Sequence, residues 1–556
     1  MKKFIDFCHK IANYYDLYTR KGVIKGKEVL NMKSIGELNL GFSDAQNYMQ
    51  RGNKQMFSDV FVKNSYLDDM LEPNIYFLVG EKGTGKTAYA TYLNNSNYHG
   101  NKSVLKFING TDYEKFYDLK KSGKIDISGY VDIWKTIILL LFAKSITKDD
   151  ITISIFDKSN LNELLKAIDE YYNKAFSPEI INALKIVDKS DIAAKLVCQY
   201  AEAGASSEST VEFNEQRLQM NLYYICKKFC DCLGKLKLEK NITLYIDGID
   251  VRPSQIPYEE YLECIRGLAN ASWTLNTELF ANVRDSKGQF KVVLLLRPDI
   301  FNSLNLQNAT NKLVDNSVYL EWRTTYTDYE TSTLYRMANK LLSYDQLYDA
   351  NKDIWDDYFD WKIKTPNKFR VYDTAFMEFL KISLSRPRDI QRILKLMQDL
   401  MKQRSMGKYQ KFSWDVYSSD EFQNAYSEYF LSSLKDQLSF YYSEEDYKHF
   451  RKFFDFFPNP EFTYDEYLTN YSKFEDYILE NAKEVPKFVE KPNIFLQLLY
   501  DSNIIAAIEN GNGRFFHFSY REKSPTNIAP EVPCDKNISY IFHYGLYKKT
   551  RMGRYD

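Results

Sequence analysis

Residues 74–87 read Asn-Ile-Tyr-Phe-Leu-Val-Gly-Glu-Lys-Gly-Thr-Gly-Lys-Thr: an apolar run, then a glycine-rich loop, and then the helix-forming stretch 88–93. Gly80, Gly85, Lys86 and Thr87 fit the pattern G-x-x-x-x-G-K-[ST], and the flanking strand and helix are the context that pattern needs. Glycines let the backbone curl so that successive N–H groups face phosphate oxygens, and the following helix offers its positive end. Lys86 is then placed for the β and γ phosphates, and Thr87 carries the hydroxyl that ligates Mg²⁺. The expected nucleotide-binding set is Gly80, Glu81, Lys82, Gly83, Thr84, Gly85, Lys86, Thr87 and Ala88. A dinucleotide fingerprint explains less. Gly83, Gly85 and Ala88 satisfy only its relaxed form, leaving Gly80 and the Lys86-Thr87 pair without a role.

Outward from the loop, apolar runs at 74–79, 103–108, 242–246, 291–296 and 317–321 suit strands covered on both faces, so the fold class expected is α/β with a parallel sheet. More than a hundred residues of helical periodicity separate the second and third runs, which marks an insertion at about 110–238. Within it, Ala201-Glu202-Ala203-Gly204-Ala205-Ser206-Ser207-Glu208-Ser209-Thr210 reads as a loop. Phe4, Cys8, Ile11 and Tyr15 share one face of a helical lead-in over residues 1–60. The nucleotide core is expected at 61–325, a helical lid at 326–410, and a C-terminal helical unit at 411–556. In the last, residues 504–508 and 514–520 flank Asn510-Gly511-Asn512-Gly513, the sign of a hairpin and of a winged-helix-like part.

A triphosphate site also needs an acid at a neighbouring strand end, and Leu244-Tyr245-Ile246-Asp247 supplies Asp247 for the magnesium shell. Asp250 is the candidate to orient or deprotonate the attacking water. In many ATPases that acid directly follows the first, and here the position is Gly248. A turn with Asp as a helix cap is the competing reading of both acids. Arg297, ending the fourth run, is placed either to sense a γ-phosphate or to pair with Asp299 or Asp247. Arg386 or Arg388, in Ser385-Arg386-Pro387-Arg388-Asp389, could join lid to nucleotide, or form a surface ion-pair cluster. Thr147-Lys148-Asp149-Asp150 has a guanine-specifying spelling but precedes Asp247, so ATP is favoured over GTP.

The 74 Lys and Arg nearly cancel the 75 Asp and Glu, so no global field draws the chain to nucleic acid or lipid. The most apolar run, at 137–143, falls short of the roughly twenty residues of a membrane span. With an odd seven cysteines and no signal-like start, a cytoplasmic setting without membrane is expected. Cys226, Cys230 and Cys232 suit a packed helix face better than a metal site, and Lys548, Lys549, Arg551 and Arg554 form a basic tail.

Residues 74–90, with Tyr245-Ile246-Asp247-Gly248-Ile249-Asp250, the Leu294–Phe301 stretch, the Ser385–Leu394 stretch and the terminal His543–Lys549 stretch, resemble the additional-strand P-loop ATPases. The likeness is to the STAND and origin-recognition-like AAA+ groups, and more narrowly to a bacterial P-loop ATPase family described as FunZ-like. The resemblance implies a P-loop strand between the Arg297 strand and the fifth strand, a helical lid, and a winged-helix-like C-terminal part. It also implies a switch that forms homo-oligomers, with an effector protein encoded nearby and a role in anti-phage defence. A regulated Mg-ATP hydrolase is the leading expectation. A P-loop domain that loads a winged helix on DNA, or a scaffold that binds ATP without hydrolysing it, are the alternatives.

Overall fold

Short runs of apolar residues that are buried on both sides make the central strands. β1 (Phe77–Val79), β2 (Lys102–Phe107), β3 (Ile242–Asp247), β4 (Phe290–Leu296) and β5 (Ser317–Tyr319) form an all-parallel sheet in the order β2-β3-β4-β1-β5 in the computed structural model. It describes residues 32–121, 127–152, 155–174, 226–346, 353–361, 363–364, 372–511 and 513–546. Every residue of β3 and β4 is buried. Side chains alternate between two cores, as a pleated strand requires. Leu78, Tyr245, Val293 and Leu295 enter one, while Phe77, Val79, Leu244 and Leu294 enter the other. Each such side chain contributes about 1.5–3 kcal/mol of burial.

The α/β class and the parallel sheet agree with the sequence reading, as does the position of β1 between β4 and β5. Strand limits differ slightly. β1 begins at Phe77, with the Tyr76 backbone just before it already hydrogen-bonded to Asn316 and Leu294. β3 extends to Asp247, one residue beyond the apolar run.

Helices cover the two faces. On one, α3 (Ile127–Ser145) packs along α4 (Tyr258–Thr274), with the Trp134 indole donating to the Cys264 carbonyl at 3.1 Å. On the other lie α1 (Lys54–Val60), α2 (Lys86–Asn95) and α5 (Thr333–Leu342), whose apolar stripes join Leu78 and Val293 in one cluster. Asp150, from the discounted guanine-like spelling, is a buried structural anchor that pairs with Lys102 (2.5 Å) and Lys240 (2.9 Å).

Beyond a small ribbon of β6 (Ile363–Lys364) and β7 (Tyr372–Asp373) come α6 (Pro387–Gln403), with Pro387 in its first turn, and α7 (Asp420–Leu438). The rest of the chain runs α8 (Glu444–Lys452), β8 (Glu461–Thr463), α9 (Tyr464–Asn481), α10 (Pro492–Asp501), β9 (Ile505–Asn510), β10 (Arg514–Phe518) and β11 (Ser539–Phe542). Its antiparallel sheet has the order β10-β9-β11-β8, and β9 and β10 are the two arms of a hairpin closed by the Gly511 N–H on the Gly513 carbonyl. Phe453, Phe474 and Phe495 pack ring on ring at 4.6–5.4 Å in its core. Cys226, Cys230, Cys232, Cys264 and Cys534 are free thiols. No described helix is long and apolar enough to cross a membrane. The helical lead-in of residues 4–15, the small-residue stretch 201–210 and the basic residues 548–554 lie outside the described residues.

Candidate functional site

β1 delivers its last residue, Val79, to the loop that the sequence singles out, and two positive-φ glycines give that loop its curl. Gly83 has φ +90° and Gly85, directly before α2, has φ +95°, a region that side-chain-bearing residues avoid. The loop's carbonyls are held by two side chains from outside the loop and by one of its own. Arg386 Nη1 donates to Lys82 O (2.8 Å), Trp322 Nε1 to Thr84 O (2.8 Å), and Lys86 Nζ to Gly80 O (2.8 Å). In a trans peptide the N–H points opposite to the carbonyl, so the N–H groups of Gly83 and Gly85 are turned to the other side, where these residues line a cavity. The curled loop is thus an N–H-lined concavity of the kind that binds anions.

Lys86 is buried, and burial pushes its ammonium below the usual lysine range against the opposing fields of Asp250 and Asp247. Asp247 lies across from it at the end of β3. It accepts from the Thr87 hydroxyl (2.5 Å) and from the Gly248 N–H (2.8 Å). Burial and then repulsion from Asp250 raise its carboxyl above the ordinary range, with Thr87 and Lys86 partly offsetting this. Two carboxylates, a hydroxyl and an ammonium therefore converge at one end of the cavity, which Asp250 lines as a half-buried residue.

Gly248 has a steric reason to stand between the acids. Its φ is +93°, and an added Cβ would lie 2.2 Å from the Ile108 carbonyl oxygen, so no acid fits directly after Asp247. Gly248→Ala is expected to cost about 3 kcal/mol or more, from positive-φ strain together with the backbone clash, seen as a lower urea midpoint at unchanged slope.

The arginines divide. Arg297 is fully buried, and of the readings its sequence left open the structure has the pair with Asp299, at 3.0 Å through Nε and 2.6 Å through Nη2. Burial alone would raise Asp299, but the guanidinium prevails and holds it down to about 2. Tyr441 also donates to Asp299 (2.8 Å), while Arg297 Nη1 has no partner among the described residues. Arg386 is buried in a two-bond pair with Asp389, both bonds at 2.9 Å. Arg388 lines the cavity, with its Cβ 3.3 Å from where a Cβ on Gly83 would sit, and its guanidinium has no partner among the described residues.

The far end of the cavity, whose volume is about 340 Å³, escaped sequence reasoning. Phe42, Tyr48 and Phe57, from a segment read only as a helical lead-in, and Phe61, at the start of the expected core, wall it together with Met337 and Leu341 of α5. Tyr48 stacks on Phe57 at 4.3 Å, and its hydroxyl accepts from the Phe42 N–H at 2.6 Å. No periodicity in residues 42–62 announces this wall, because it is built from 3-10 turns and one short helix. Glu81 and Thr84, unlike Lys82, are not among the residues lining this cavity, and the Thr84 hydroxyl donates to the Glu81 carbonyl at 2.8 Å. The chain matches no protein-family model, no curated protein and no solved structure.

Proposed function

We propose that this chain is a P-loop ATPase that binds Mg-ATP between the 80–87 loop and Asp247 and hydrolyses it, as a member of the additional-strand division with STAND-like or origin-recognition-like AAA+ character. The observation that carries the reading is one cavity with two unlike ends. One end gathers Lys86, Thr87, Asp247, Asp250 and the loop N–H groups, and the other is walled by aromatic and aliphatic side chains. Its volume of about 340 Å³ suits a nucleotide-sized ligand. Triphosphate oxygens belong at the first end and a base at the second.

Magnesium fits the donor set, since the Thr87 hydroxyl and the Asp247 carboxylate are hard oxygen ligands already 2.5 Å apart. When bound, the ion supplies charge neutralisation at the phosphate oxygens. The chain's own residues do the rest. Lys86 neutralises the β and γ oxygens, the loop N–H groups fix the phosphate chain, and Asp250 orients the attacking water and receives its proton. Arg388, unpaired at the start of α6, bridges the lid of helices α5 and α6 to the nucleotide. Arg297, held by Asp299 and absent from the cavity wall, has no direct contact with the nucleotide in this reading.

The hairpin and the helices before it form the winged-helix-like part. Loading on DNA is the less favoured role, because α10, the helix before the hairpin, carries no Arg or Lys. Helix α9 bears Asp465, Glu466, Glu475, Asp476 and Glu480 against Lys473 alone, a field that repels phosphates.

Asp250→Asn separates hydrolysis from binding. It is expected to leave Mg-ATP affinity within about threefold of wild type and to cut turnover by about a hundredfold or more. Calorimetry and phosphate release measure the two. A wild-type protein that binds Mg-ATP tightly and releases no phosphate selects the scaffold role instead.

A further inference from the structure

Two loop side chains leave the cradle and reach the far end of the chain. Glu81 Oε1 accepts from Lys523 Nζ at 2.8 Å, with both side chains largely buried, at 16% and 5% exposure. Lys82 pairs with Asp436 of α7 at 2.8 Å, but Asp436 is 61% exposed, so that pair is screened and weak. Lys523 directly follows the short helix Ser519–Glu522 that ends β10, and it also points its ammonium at the Asp501 carbonyl at 3.4 Å. Asp501 and Asp299 add to the field on Lys523. The Glu81 backbone, in turn, is part of the cradle: its carbonyl accepts from the Thr84 hydroxyl (2.8 Å) and from Lys86 Nζ (3.4 Å). One residue therefore joins a side-chain contact with the C-terminal unit to a backbone contact with the phosphate-binding lysine. Arg297 and Asp299 make a second join, to Gln437 in the last turn of α7 and to Tyr441 just beyond it.

We propose that Lys523 is a positioning residue of the nucleotide site: through Glu81 it sets the loop carbonyls on which Lys86 rests, so that docking of the C-terminal unit and binding of the nucleotide are linked. This rests on the Mg-ATP reading given above. The linkage is reciprocal, since a contact that changes nucleotide affinity must itself be changed by the nucleotide to the same factor. Glu81 is a free-choice position in the phosphate-loop pattern, which is what lets it serve this purpose without altering the cradle.

The test uses the full chain and three variants: Lys523→Met, Lys523→Arg, and the double Glu81→Gln/Lys523→Met, which leaves no unpaired carboxylate at position 81. Hydrogen exchange is read over residues 76–90 and 515–525, and Mg-ATP affinity by calorimetry. Lys523→Met is expected to speed exchange in 80–87 and to shift Mg-ATP affinity by about tenfold. Lys523→Arg should restore both, and saturating Mg-ATP should alter exchange at 519–523 in the wild type only. Should Lys523→Met fail to fold, the double variant carries the same expectation. Wild-type exchange at 80–87 and wild-type affinity in a folded Lys523→Met or double variant overturn the proposal. If the wild type binds no Mg-ATP, the nucleotide reading falls by itself, and unchanged exchange at 80–87 in the variants still decides against Lys523.

Discussion

Lys86→Ala is expected to lower ATP turnover by about a hundred- to a thousandfold, the loss seen when one preorganised group at a charge-developing oxygen is removed. The side chain is buried beside Asp247 and Asp250, where water screens little and each charge counts for more than on the surface. Truncation takes away the only ammonium on that side of the two carboxylates among the residues lining the cavity, apart from Lys82, whose charge is spent on Asp436. The repulsion that already raises Asp247 then goes less opposed, so affinity for the polyanion falls together with turnover. Phosphate release and calorimetry on the same preparation check both quantities. Lys435→Ala is the control, since its pair with Glu444 is exposed, neither residue lines the cavity, and a pair of that kind is worth about 1 kcal/mol or less. Equal turnover in wild type and Lys86→Ala removes the hydrolase.

The second large effect is on stability. Arg386→Leu is expected to destabilise the chain by about 3–5 kcal/mol, because it strands a carboxylate in the core. Asp389 is 1% exposed and would keep only the Tyr429 hydroxyl (2.8 Å) and the Leu384 N–H (3.0 Å) as partners. The same change removes the donor to the Lys82 carbonyl, so α6 and the 80–87 loop are left with the longer bond from the Arg388 N–H to the Gly83 carbonyl (3.5 Å). Arg386→Lys is expected to recover only part of this, since an ammonium cannot make the forked two-bond contact and still reach Lys82. Denaturant midpoints rank the three proteins, and a fall below about 1 kcal/mol for Arg386→Leu refutes the buried-pair account.

The central sheet was legible because each of its strands is a continuous apolar run, and a strand covered on both faces has no other way to be written. The Gly80–Thr87 loop was legible because its glycines and its Lys-Thr pair have separate physical duties at fixed spacing. Asp247 followed from its place after Ile246. Gly248 was legible only as a departure; its cause, the Ile108 carbonyl 2.2 Å from a would-be Cβ, belongs to a neighbouring strand end 140 residues earlier in the chain. Arg297 carried two readings that only side-chain geometry could separate. The aromatic wall at Phe42, Tyr48, Phe57 and Phe61 and the contact between Glu81 and Lys523 left no trace in periodicity. They depend on which surfaces meet after folding, and local spacing holds no record of that.

The strand order has a consequence for the order in which the protein is made. β1 is flanked by β4 and β5, so the ladder partners of residues 77–79 are residues 294–296 and 317–319, both made well after β1 itself. Until those partner residues have been synthesised, the 80–87 loop hangs from a strand with both edges bare. Such long-range pairing is slow to form and exposes sticky edges while it waits. Slowed translation ahead of β4 is therefore expected to lengthen the time those edges stand bare and to lower the soluble yield.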